Sequence, residues 1–364
     1  MKRDLFVFSG QSNMMGASVL PPKRDITYEN SFEYKHKPRR LGAPVGAFTP
    51  KAYPVGEFSY ADMEKAYTDG TVNEKGESTL TDYAANSYFC PAMSNLRSEA
   101  EKSVYKFVEF SEAYAPTGVS LAPFLVEEWE KMGNKCAYAH IAKGAVSITH
   151  YFTDEMAEEY SRRIDGYNRE NGTSYSTVVE RKPKMKGSAE YFMKKSLDFF
   201  EDAEKAFFAD DMPNKCFFWL QGESDTGKAP IEIEIKMDIL WEWLKKNGFT
   251  HFFCIRVDYF GSSGISNVMK AQESFCRKHR DAYMLTRAAS YITYPDQDEG
   301  EWFVTPPAEE YRYCRDSFFG YGNQHINEKG FTVIARHAAR NLQRVLNENK
   351  EPKLEPENIK PLAE

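Results

Sequence analysis

Residues 4–16 read DLFVFSGQSNMMG. The run from Leu5 to Ser9 is continuously apolar rather than alternating, which suits a strand covered on both faces of a parallel sheet. It breaks at Gly10 and is followed by Ser12 among small and polar residues. Four more runs of the same kind follow at Ala137–Ala142, Cys216–Leu220, Phe252–Val257 and Ala282–Thr286. Helical patterns separate them. Leu121–Lys131 places Leu121, Phe124, Leu125 and Trp129 on one face, and Ala189–Phe208, Ile231–Lys246, Ile265–His279 and Phe331–Asn347 complete the set. Ile231–Lys246 opens after Pro230 and stops at Asn247-Gly248. The alternation predicts an α/β fold, a three-layer α/β/α sandwich with a central parallel sheet of about five strands and right-handed crossovers.

Two stretches break the rhythm. Residues 17–117 form a long insertion after the first strand, rich in Tyr, Pro, Gly and charge, and too long for a plain connection. Residues 288–320 form a second irregular segment, with Trp302, Pro306 and Pro307. Both follow strand ends on the side where open α/β sheets bind ligands, so they read as cleft walls or a cap; surface decoration or an oligomer contact fits them equally. The organisation is a single domain over 1–347 with a charged tail at 348–364 that wraps the surface or hangs loose.

The composition narrows the function. The formal net charge is −7, against a nucleic-acid partner, which usually meets a basic face. No apolar run reaches the ~20 residues that span a bilayer, and Leu5–Phe8 is too short for a signal-peptide core. No membrane partner and a cytoplasmic location are therefore expected. The six cysteines (Cys90, Cys136, Cys216, Cys254, Cys276, Cys314) have no CxxC spacing, and three lie in strand-like runs, so they read as reduced core residues. Aromatics make up 15%, which fits a Phe-rich core or a sugar-binding cleft. No HxxxH or HExxH pattern supports metal hydrolysis.

Several segments at predicted strand ends carry polar chemistry. A serine on a tight turn past a strand can project its hydroxyl into a cleft and turn its own N–H toward a developing oxyanion. An ordinary strand-to-helix turn with Ser12 as its cap uses the same residues. The second strand leads to Gly144, the third to Gln221-Gly222-Glu223-Ser224-Asp225, and the last helix is preceded by Gly322-Asn323-Gln324-His325. In a parallel sheet these ends lie together.

The set FSGQSNMMG (8–16), AKGAVS (142–147), WLQGESD (219–225) and a late histidine before a final helix resembles the sialate O-acetylesterase-type branch of the SGNH hydrolases, a flavodoxin-like fold. The resemblance covers roughly residues 4–16, 118–286 and 321–345, and not the insertion. It implies a serine esterase that removes O-acetyl groups from a carbohydrate, an acetylated oligosaccharide or sialic acid, without a metal or organic cofactor. It implies Ser12 as nucleophile, His325 as base, and an oxyanion hole from the N–H groups of Ser12 and Gly144 with the side-chain amide of Gln221. Gln11, Asn13, His150 and Trp302 are candidates to line the substrate cleft.

One position departs from the family. The aspartate usually found three residues before the histidine is Gly322 here. Glu223 can take its place from the neighbouring strand; Asp316 can fold back from upstream; or His325, held by a backbone carbonyl or Asn323, can form a dyad with Ser12. Glu223 is favoured, with a turn-pinning role as its simpler alternative. Asp225 reads as a cap or loop residue, and His140 and His337 as packed or surface residues. Two other functions stay open: a broader esterase on lipid-like substrates, and a carbohydrate-binding protein on the same fold without catalysis.

Overall fold

In a computed structural model of the chain the described residues are 2–15, 30–34, 107–108, 120–144, 146–179, 188–259, 264–293 and 325–359. The strands are β1 (Asp4–Gly10), β2 (Phe32–Tyr34), β3 (Phe107–Val108), β4 (Cys136–His140), β5 (Lys215–Leu220), β6 (His251–Ile255) and β7 (Ala282–Thr286). The helices are α1 (Ser12–Met15, a single turn), α2 (Leu121–Lys131), α3 (Asp154–Asn171), α4 (Ser188–Ala206), α5 (Pro230–Lys246), α6 (Ile265–Lys278), α7 (Ala288–Ile292) and α8 (Glu328–Leu346).

The sheet order is β3-β2-β4-β1-β5-β6-β7. The five predicted strands all pair in parallel, with Phe6 opposite both Tyr138 and Cys216. Two short strands from the insertion extend the sheet beyond β4, β2 parallel to β4 and β3 antiparallel to β2. The α/β/α sandwich read from the sequence is thus observed, with a wider sheet.

The period of two along each strand divides the core into one apolar layer per face. Phe6, Phe8, Tyr138, Phe218 and Phe253 point to the side covered by α2 and α8. Leu5, Val7, Ala137, Phe217, Trp219 and Phe252 point to the side covered by α3 to α6. Phe8 stacks on Phe218 with ring centroids 4.6 Å apart, so part of the aromatic excess is spent in the core. Cys136, Cys216 and Cys254 are buried free thiols in strands, and Cys276 is a partly buried free thiol on α6; Cys90 and Cys314 lie outside the described residues.

Helix α3 is absent from the sequence reading. Its buried residues are Met156, Tyr160 and Ile164, a stripe only one residue wide, and the rest of the helix is polar. Thr153 starts it by accepting the Met156 N–H at 3.2 Å. Residues 288–292, read as the start of an irregular segment, form the buried helix α7. The described part of the tail lies on α8: Asn341 donates to the Lys353 carbonyl and accepts its N–H, and Ile359 is buried. Among the described residues no helix is long and apolar enough to cross a membrane.

Candidate active site

β4 and β5 flank β1 on opposite sides, so the chain reverses its direction of winding at β1. The crevice at such a reversal, beyond the carboxyl ends of the strands, is where open α/β sheets hold ligands. Gly10 makes the turn there. Its φ is +145°, and a Cβ at this position would stand 2.0 Å from the Leu220 carbonyl oxygen. Only glycine lets β1 end this close to β5. Gln11 then donates its N–H to that carbonyl at 3.2 Å, and Met15 N closes a single helical turn on Gln11 O at 2.7 Å. Ser12 opens this turn and is partly exposed. A first-turn N–H such as that of Ser12 has no acceptor within the helix.

Gly144 is brought alongside because the β4 chain continues to pair with β1 past its own end: Ile141 N donates to Phe8 O at 2.8 Å and Lys143 N to Gly10 O at 3.1 Å. A Cβ on Gly144 would lie 3.8 Å from the Ser12 Cβ and 3.1 Å from the Met15 Cε. The Gly144 N–H donates to the Met15 thioether sulfur at 3.2 Å.

Asn13, buried at 1% exposure, joins three other segments. Its Nδ2 donates to Glu223 Oε1 at 3.1 Å and to Asp258 Oδ1 at 3.2 Å. Its Oδ1 accepts the Ile326 N–H at 3.0 Å, across 313 residues of chain. Ile326 is buried in the core and Asn327 caps α8 by accepting the Gly330 N–H, so the chain immediately after His325 is fixed. Burial holds the His325 imidazole below its ordinary pKa of 6.5. Among the described residues no hydrogen bond joins a carboxylate to this ring.

Glu223, favoured from the sequence as the orienting acid, therefore reaches Asn13 and not the imidazole. Its Oε2 is buried with no hydrogen-bond partner among the described residues, and burial raises the carboxyl above its ordinary pKa. Gly222 allows this turn: its φ is +156°, and a Cβ there would meet Val268 Cγ1 at 2.4 Å. Gln11 is also buried, and its Oε1 accepts from Ser224 Oγ at 2.8 Å. Gln11 and Asn13, candidates for the cleft lining, thus brace the site from within.

The Gln221 amide has its two protons directed at protein acceptors, Asp225 Oδ2 at 2.6 Å and the Val146 carbonyl at 3.2 Å. Asp225, read as a cap or loop residue, is 2% exposed; it also accepts the Ile148 N–H at 3.0 Å and faces Lys236 Nζ at 3.6 Å. It ties the Gly144 loop to β5. His150 is buried edge-on against Tyr151, with its pKa pushed down to about 4 by burial and then by Lys143. The Tyr151 hydroxyl donates to the Gly10 carbonyl at 3.0 Å. His140 is buried, donating Nε2–H to Met14 O at 2.6 Å. Trp302 and Asp316 lie outside the described residues.

Asp258 was not singled out from the sequence. The available signal was a carboxylate just past the end of β6, where ligand-side residues belong. Its place is set by Gln272, which accepts the Val257 N–H at 3.0 Å and donates to the Gln221 carbonyl at 2.8 Å. No group of three or more His, Cys, Asp or Glu able to hold a metal occurs among the described residues.

No protein-family model matches the chain, and no curated protein matches it. Solved structures align with it at low identity. A protein of Arabidopsis thaliana is 12% identical over 93% of this chain and 97% of its own, with a TM-score of 0.43. A carbohydrate acetylesterase from Xanthomonas citri is 12% identical over 95% of this chain and 57% of its own, with a TM-score of 0.39. NanS is 11% identical over 95% of this chain and 98% of its own, with a TM-score of 0.42. At these values the alignments carry no argument about activity.

Proposed function

We propose that the chain is a serine carboxylic-ester hydrolase that removes O-acetyl groups from a carbohydrate. The observation that carries the reading is the Asn13 to Ile326 hydrogen bond at 3.0 Å, which joins the residue after Ser12 to the residue after His325. A structural serine turn has no need of a histidine segment clasped to it from the far end of the chain.

In this reading Ser12 Oγ attacks the ester carbonyl carbon while its proton passes to the His325 imidazole. The negative oxygen is met by the N–H groups of Ser12 and Gly144; one such donor is typically worth ~3 kcal/mol. The C–O bond to the sugar breaks, the sugar oxygen takes the proton from His325, and the acetyl group stays on Ser12. Water then attacks the acetyl-enzyme, giving its proton to His325, and acetate leaves as the Ser12 oxygen is reprotonated. Gln221 joins the oxyanion hole only if its amide turns from Asp225; in the bonded arrangement it fixes the Gly144 loop. His325 works as the base of a dyad, kept neutral by burial, and Glu223 and Asp258 act on it through Asn13.

The test is acetate release from acetylated xylan oligomers, acetylated manno-oligosaccharides, an O-acetylated sialic acid and an aryl acetate, beside Ser12→Ala. Release from one sugar class, absent in the variant, is the expected result. Silence on every ester from a folded protein contradicts the reading and favours a carbohydrate-binding role.

A further inference from the structure

We infer that Met15 sets the acyl-size limit of the site, restricting it to acetyl and similarly short acyl groups. The inference rests on the esterase reading above and names the acyl class that the site takes.

Three contacts carry it. The Gly144 N–H is bonded to the Met15 sulfur at 3.2 Å. The side of Gly144 where a Cβ would point is filled by Met15 Cε at 3.1 Å and Sδ at 3.7 Å. The same point lies 3.8 Å from the Ser12 Cβ. The end of the Met15 side chain therefore lies against Gly144, on the same side from which the Ser12 Cβ approaches it.

The chemistry makes this cover removable. A thioether is a weak acceptor, whereas an ester carbonyl is a better one and an oxyanion better still. A bound ester takes the Gly144 N–H from the sulfur, and Met15, unbranched and partly exposed, turns aside. The backbone holding it does not move with it. Met14 beside it is fully buried and its carbonyl is held by His140, so the single-turn helix stays fixed. The displaced thioether remains against the acyl group and limits its length. Truncation to alanine removes Cγ, Sδ and Cε, room for about three more acyl carbons; a pocket contact of one methylene shifts discrimination by about 10- to 200-fold.

The experiment compares kcat/KM for aryl acetate, butyrate and octanoate in wild type, Met15→Ala and Met15→Leu. Wild type favours acetate. In Met15→Ala the acetate-to-butyrate ratio falls at least about tenfold, while octanoate stays poor because only about three carbons of room are opened. Met15→Leu keeps the bulk and keeps the ratio within about threefold of wild type. An unchanged ratio in an active Met15→Ala protein overturns the role of Met15 and leaves the esterase reading standing. Absence of turnover of all three esters by wild type removes the esterase reading and this inference with it.

Discussion

Asn13 Oδ1 accepts the backbone N–H of Ile326 at 3.0 Å, so the residue after the nucleophile candidate holds the residue after the base candidate. Both protons of the same amide are directed at carboxylates, Glu223 and Asp258. One buried side chain thereby fixes three segments around Ser12.

Replacing Asn13 separates these segments. Asn13→Ala leaves the Ile326 N–H without its acceptor, at a cost of about 1–3 kcal/mol in stability measured by denaturant unfolding. Ester turnover falls by about a hundredfold as the His325 segment loses its register. Asn13→Asp is worse at neutral pH than at acidic pH, because it sets a third carboxylate beside Glu223 and Asp258. Equal stability of the aspartate variant across pH would contradict the clasp.

Glu223 accepts from Asn13, and the substitution Glu223→Gln separates that arrangement from a direct bond to the imidazole. Glu223→Gln retains an oxygen that accepts from Asn13, so kcat/KM stays within about fivefold of wild type. Loss of a carboxylate that orients the imidazole directly can cost up to ~10⁴. The raised pKa of Glu223 also gives a stability signature. A buried carboxyl that favours its protonated form adds stability at low pH, and that stability is lost as pH rises through its folded-state value, above the ordinary 4.5. The glutamine variant, neutral throughout, loses less Tm than wild type as pH rises above the ordinary carboxyl value of 4.5. Parallel Tm curves for the two proteins contradict this.

The pH–rate profile follows from His325. Only the neutral ring accepts the Ser12 proton, so the rate falls as pH drops through the imidazole pKa. Burial lowers that pKa, which puts the acidic limb of kcat/KM below pH 6.5. An acidic limb above 6.5 would mean that a carboxylate is bonded to the ring in the working enzyme.

Gly10 bears the close approach of β1 to β5. Gly10→Ala places a methyl 2.0 Å from the Leu220 carbonyl oxygen at a φ of +145°. The expected loss is roughly 2–5 kcal/mol, or failure to fold. A stable, active Gly10→Ala protein would contradict this close approach of β1 to β5.

Much of this was legible in the sequence for physical reasons. The five core strands are continuous apolar runs because both sheet faces are covered, and a strand such as Leu5–Ser9 needs no partner information to be recognised. Helix α3 escaped because Met156, Tyr160 and Ile164 give too narrow a stripe. Strands β2 and β3 escaped because three and two residues carry no periodic signal. The candidates Ser12, Gly144, Gln221 and His325 could be named from local motifs and the family resemblance that those motifs carry. What they bond to could not. The pairing of Asn13 with Asp258, of Gln221 with the Val146 carbonyl and of Gly144 with the Met15 sulfur joins segments far apart in the chain. Only the fold brings those segments together.

In the proposed reaction Ser12 carries the acyl group, and rapid acid quench of the protein during turnover of an aryl acetate, followed by peptide mass analysis, reads that intermediate. The expected result is one acetyl group on the peptide containing Ser12, absent from Ser12→Ala, whose turnover is lost. Steady turnover that survives Ser12→Ala, with no acetyl group on that peptide, would contradict it.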